Sequence, residues 1–216
     1  MPGACSRALI IGVLPTIAPY LLPKTIGAFA RKYPGVKIVV EEDTTARLLK
    51  HLATYEIDFA IVSDPIQDSR FEVRELLTEE LLLALPPGHP LARKRTVPAA
   101  ALKGERLIVM REGHCLGDQV LGFCEHRGVQ PTISFRSAQL ETIHALVAAG
   151  LGLSLIPAMA ARRPRAGLVE YRSIQPSRPM RKILAVWPRQ RPLGRAADAF
   201  LELMSARPLS AGSQRD

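Results

Sequence analysis

A chain of 216 residues, 47% hydrophobic and only 5% aromatic, holds enough apolar material for one large domain or two small lobes with aliphatic cores. Its net charge of +9 suits polyanions, yet the arginines are scattered, several of them (Arg162, Arg163, Arg165) in one expected loop, so direct DNA contact is not expected. Three cysteines, Cys5, Cys115 and Cys124, are too few and odd in number for a secreted disulfide scaffold and point to a reducing cytoplasm, with Cys5 incidental.

The apolar run Ala8 to Leu22 is broken by Gly12, Pro15 and Pro19 and lacks a small-residue cleavage site. It reads as a buried strand, Arg7 to Val13, and a turn at Leu14-Pro15-Thr16 before a helix over Ile17 to Lys32. No segment has the ~18 uninterrupted apolar residues of a membrane span. Val36 to Glu42 is the next strand, Thr44 or Thr45 caps a helix carrying Leu48, Leu49 and Leu52, and Ile57 to Val62 is a third strand. This rhythm is that of a parallel sheet with crossover helices. Two strands follow, Phe71 to Leu77 and Glu79 to Leu85, then the turn Pro86-Pro87-Gly88-His89-Pro90 and a short helix over Val97 to Leu102. Arg106 to Met110 is a strand, and Gly113-His114-Cys115 opens a helix to about Arg127. Strands at Ile133 to Arg136, Leu153 to Pro157, Leu168 to Ile174 and Lys182 to Trp187 alternate with helices over Leu140 to Ala149 and Leu193 to Ala206.

The expected architecture is α/β, with two Rossmann-like lobes joined by two crossing strands. Lobe I takes residues 5–78 plus 185–206, lobe II takes 79–184, and residues 207–216 form a disordered tail.

Three stretches, GVLPTIAPYLLPKTIGAFARKYPGVKIVVEE, LLLALPPGHPLA and ETIHALVAAGLGLSLIPAMAA, resemble the regulatory domain of LysR-type transcription regulators along residues 7–205. The resemblance implies a fold like periplasmic solute-binding proteins with an effector in the inter-lobe cleft. It implies a non-enzymatic regulator that is a homodimer, and a tetramer in the full-length parent, with RNA polymerase as a further partner and no membrane. DNA binding is implied through an N-terminal winged helix-turn-helix that this sequence lacks. Within the family, REGHCLGDQVLGFC (Arg111 to Cys124) resembles the sensing segment of the OxyR branch. That match implies hydrogen peroxide as the effector and a redox-active pair, Cys115 and Cys124. It places Thr16, Thr45, His114 and Arg181 at positions that line or support the peroxide pocket, Arg181 on the loosest match.

Peroxide reacts with a thiolate. Cys115 is expected at a helix N-terminus, where backbone N–H groups and the helix dipole favour an anion. His114 can donate a hydrogen bond, and Arg111 adds positive potential. Together these would lower the thiol pKa from about 8.5. Cys124 follows by nine residues, roughly 13–14 Å along a continuous helix, whereas a disulfide needs Cα atoms within about 7 Å. The helix must therefore unwind before the pair can bond, and Gly117 and Gly122 weaken it by about 1 kcal/mol each relative to alanine.

Plainer readings stand beside these. Cys124 fits a small buried hydrophobe, His114 a turn residue, and Thr16 and Thr45 helix caps. The main alternative function is a LysR-type effector domain that binds a small organic anion without redox chemistry. A transport-type solute-binding protein and a thiol peroxidase are further rivals. No zinc-like spacing, phosphate loop or nucleotide fingerprint is present, so no metal or cofactor is expected.

Overall fold

The computed structural model describes residues 8–161 and 168–205. Cys5, the Arg162–Arg165 group and the 207–216 tail lie outside the described residues. The chain divides into two compact units, one of residues up to 77 with 183 onward, the other of residues 78–182.

In the first unit, β1 (Leu9–Val13) is followed by α1 (Ala18–Lys32), β2 (Ile38–Glu42), α2 (Thr45–Ala53) and β3 (Phe59–Ser63). β1 lies between β2 and β3 and pairs parallel with both, Ile11 opposite Val40 and Phe59. A central strand covered on both faces must be apolar throughout, and Ile11 and Val13 are fully buried. Gly12 lets the side chains of Ile57 and Leu48 pack close on β1: a Cβ there would lie 2.6 Å from Ile57 Cδ1 and 2.7 Å from Leu48 Cδ2, and those side-chain ends would have to shift. Pro19 occupies the first turn of α1, where its missing N–H costs little.

The structure departs from the sequence expectation at the start of α2 and along the next strand. Thr44 is the N-cap of α2, but its side chain makes no capping bond, and Thr45 is the first helical residue. Asp43 Oδ1 instead accepts from the Thr44 N–H at 2.7 Å. The two strands expected over Phe71 to Leu77 and Glu79 to Leu85 are one, β4 (Phe71–Leu85), which passes from the first unit into the second. The polar Thr78-Glu79 step marks a change of surroundings, not a break in the backbone.

The second unit continues with a 3-10 turn at Pro90–Arg93 and β5 (Thr96–Val97). The helix expected over Val97 to Leu102 is reduced to a 3-10 turn, Ala99–Leu102. Pro98 holds Val97 in extended backbone, which excludes it from a helix. β6 (Arg106–Met110) leads into α3 (Cys115–His126), then β7 (Thr132–Ser137), α4 (Leu140–Ala148), β8 (Ser154–Pro157), the single turn α5 (Ala158–Ala161) and β9 (Glu170–Ile174). β6 and β7 pair parallel, β4 pairs antiparallel with β8 and β9, and β5 pairs parallel with β9 at the sheet edge. β10 (Met180–Pro188) returns the chain to the first unit, where it runs antiparallel to β3, Leu184 opposite Val62. α6 (Arg195–Ser205) closes that unit, with the Phe200 ring tilted against Phe29 and Phe59 at centroid distances of 5.3 and 5.9 Å.

Candidate redox site

The approach to α3 is set by Gly113, whose φ of +84° lies in the left-handed region that a side chain would disfavour. The turn is held by Arg111 N–H donating to Ser137 O at 2.9 Å and His114 N–H donating to Arg111 O at 3.3 Å. His114 then takes the N-cap in extended backbone, with its side chain buried. Cys115 is the first residue of the helix and is half-buried. Cys115 therefore lies in the first turn of α3, at the end of the helix dipole that favours negative charge, where the Gly117 N–H donates to His114 O at 2.8 Å.

Leu116, Gly117 and Val120 face the interior. Gly117 is there for space: a Cβ would stand 2.6 Å from Met110 O, a backbone atom of β6 that cannot move aside. At Gly122 a Cβ would meet nothing within 4 Å. The helix ends firmly, with Cys124 O accepting from Arg127 N–H at 3.1 Å and Val129 N–H at 2.9 Å, and Gly128 turning the chain at φ +64°. His126 Nδ1 lies 2.6 Å from Gly122 O.

Cys115 and Cys124 are both unbridged. α3 runs unbroken between them, so nine residues hold the two Cα atoms roughly 13–14 Å apart along the axis, about twice what a disulfide spans. Cys124 is 1% exposed, and burial pushes its thiol pKa up by disfavouring the thiolate.

Arg181, on β10, is wholly buried and paired with Glu79 on β4. Its Nε donates to Glu79 Oε1 at 2.8 Å, while Glu79 Oε2 accepts from the Met159 N–H at 2.8 Å. The carboxylate thereby neutralises the guanidinium and ties it to the first turn of α5. Glu79 was not among the sequence candidates. Its signal was its register: it shares the inward face of β4 with Leu81, Leu83 and Leu85, where a charge needs a buried partner.

Thr16 and Thr45 belong to the first unit, and His114, Cys115, Cys124 and Arg181 to the second. Thr16 is 4% exposed, in the turn between β1 and α1. The Thr45 hydroxyl is buried and has no hydrogen-bond partner among the described residues. Among the described residues no group of His, Cys, Asp and Glu side chains is arranged to hold a metal ion, and no helix is long and apolar enough to cross a membrane.

Residues 4–208 match the LysR substrate binding domain. The chain is 40% identical over 173 residues to a "Probable hydrogen peroxide-inducible genes activator" of Mycobacterium avium, covering 78% of this chain and 56% of that one. It is 37% identical over 204 residues to the "DNA-binding transcriptional dual regulator OxyR" of Escherichia coli K12, covering 94% and 67%. The chain thus spans between about half and two thirds of these relatives. Among solved structures, the reduced OxyR regulatory domain of Pseudomonas aeruginosa superimposes with a TM-score of 0.83 at 30% identity, covering 94% of this chain and 98% of that one. An oxidized form of OxyR gives 0.81 at 35% identity, covering 93% and 95%. The fold, the motif-bearing helix and these matches agree: this chain belongs to the LysR substrate-binding domain family.

Proposed function

We propose that this chain is the sensing part of a LysR-type transcription regulator and that Cys115 reads hydrogen peroxide. The observation that carries the reading is α3 itself: it presents a half-buried cysteine at its N-terminus and holds a second, buried one beyond bonding reach. The relatives named for peroxide-inducible gene activation support it. Chemically, the Cys115 thiolate attacks one peroxide oxygen. An S–O bond forms, the O–O bond breaks, and hydroxide leaves to be protonated to water, giving a sulfenic acid. After α3 unwinds, the Cys124 sulfur attacks the Cys115 sulfur. The S–S bond forms, the S–O bond breaks, and a second water leaves. The products are one disulfide and two waters, so resetting needs an external thiol reductant.

His114 serves as a hydrogen-bond donor at the reacting thiol, and Thr16, Thr45 and Arg181 serve as effector-binding or supporting groups, each carried over on its own match. In the whole regulator a winged helix-turn-helix binds DNA, the assembly is a homodimer or tetramer in the cytoplasm, and RNA polymerase is a partner. The unpartnered Thr45 hydroxyl also suits a small organic anion, the second reading.

Peptide mapping by mass spectrometry before and after low equivalents of peroxide tests the proposal. A Cys115–Cys124 bridge is expected in the wild type, an unbridged sulfenic acid at Cys115 in Cys124→Ser, and no oxidation at Cys124 in Cys115→Ser. Unmodified Cys115, together with a rise in melting temperature on adding a carboxylate, would transfer the assignment to the organic-anion reading.

A further inference from the structure

The basic surplus is unevenly distributed. Residues 78–182 carry fifteen Lys and Arg against eight Asp and Glu, whereas the rest of the chain carries fourteen against twelve. Within the second unit, Arg93, Lys94 and Arg95 are consecutive and exposed, just before the edge strand β5, and Lys103 is exposed just after the following 3-10 turn. None of the four has a carboxylate partner among the described residues. The acids of the neighbouring elements are engaged elsewhere: Glu170 with Arg172, Glu80 with Ser173, and Glu105 near His89. The loop is also held in place. Arg172 Nε donates to Lys94 O at 2.9 Å and its Nη2 donates to Ala92 O, while Lys94 keeps extended backbone at φ −88° and ψ 144°. Lys94 is extended between Arg93, which ends the 3-10 turn, and Thr96, which opens β5, and the chain bends at Lys94 and Arg95 so that the three exposed cations cluster at this corner.

We infer that this edge is a binding surface for the phosphate backbone of double-stranded DNA, on the second unit and separate from any DNA-reading domain. A cluster of exposed cations without carboxylate partners among the described residues, on a loop whose backbone is anchored by Arg172, suits a phosphate backbone, which guanidinium groups bind bidentately. A protein partner is the weaker fit, because the exposed residues interleaved here, Thr96, Pro98 and Ala100, offer no aromatic or aliphatic anchor. The inference rests on exposed charge and not on thiol chemistry, so its failure would leave the peroxide reading untouched.

The test is fluorescence anisotropy of a labelled 30-base-pair duplex of arbitrary sequence with this chain across a salt series, a length of about three helical turns. R93E/K94E/R95E is compared with K24E/R31E/K37E, exposed positions in the first unit that change net charge equally. The β5-edge triple is expected to weaken binding about tenfold or more and to flatten the log–log salt slope by about 2.7, for three lost phosphate contacts. The first-unit triple should do markedly less. A triple-alanine variant with an unchanged melting curve guards against misfolding and should show a smaller loss in the same direction. Equal losses from the two triples would mean net charge alone binds the duplex, and would overturn the assignment. An unchanged duplex affinity in the β5-edge triple would also overturn it. If that variant had lost binding to poly-glutamate instead, the surface would belong to an acidic protein.

Discussion

Cys124 combines two properties of one side chain: it is almost fully buried, and its thiol is harder to ionise than in the unfolded chain. A raised folded pKa means folding favours the protonated form. That stabilisation is complete below the unfolded thiol value of about 8.5 and is lost as pH rises toward the folded one. Urea melts of the wild type and Cys124→Ala should therefore show the wild-type advantage shrinking above about pH 8.5, and a constant difference would contradict the assignment of cause. The Glu79–Arg181 pair is a buried ion pair whose two halves depend on each other. Arg181→Met leaves a buried carboxylate without its cation and should cost about 3–5 kcal/mol in urea unfolding, whereas the double variant Glu79→Leu with Arg181→Met should recover most of that loss. The register of β4 showed that Glu79 points inward, but its partner lies 102 positions away and only the tertiary structure supplies it.

At the scale of the element, α3 is unevenly anchored. Its first turns are fixed against β6, because Gly117 packs on Met110 O, while Gly122 faces open space. Composition alone treats these glycines as equal weak points, and their surroundings separate them. Gly117→Ala should destabilise the protein because the backbone it meets cannot yield. Gly122→Ala should stabilise the reduced form by up to about 1 kcal/mol and slow disulfide formation up to about fivefold, the helix now resisting its own unwinding. Timed alkylation with mass readout measures the rate. A faster Gly122→Ala reaction would show that the helix need not open at that point. The capping of α2 shows the same dependence on surroundings. Two threonines at the right place looked interchangeable as caps, yet Asp43 bonds the Thr44 amide and the Thr45 hydroxyl is left buried.

At the scale of the whole molecule, two chain crossings, β4 and β10, connect two units that fold around separate cores. If oxidation is confined to α3 and what packs on it, hydrogen exchange of the oxidised protein should rise sharply across residues 116–126 while the β1–β3 amides keep their protection. Loss of protection in β1–β3 would mean the event is not local to the second unit.

The order of strands and helices was legible because each β-branched run and each helical spacing is a local pattern, written within ten or fifteen residues. The Cys115 to Cys124 spacing was legible for the same reason, since a helix converts sequence distance into physical distance. What the amino-acid order could not express was any property created by distant residues meeting: the continuity of β4 across two environments, the acid that neutralises Arg181, the backbone oxygen that requires Gly117, and the isolation of Arg93 to Arg95 from nearby carboxylates. These depend on contacts between segments far apart in the chain, and only folding brings those segments together.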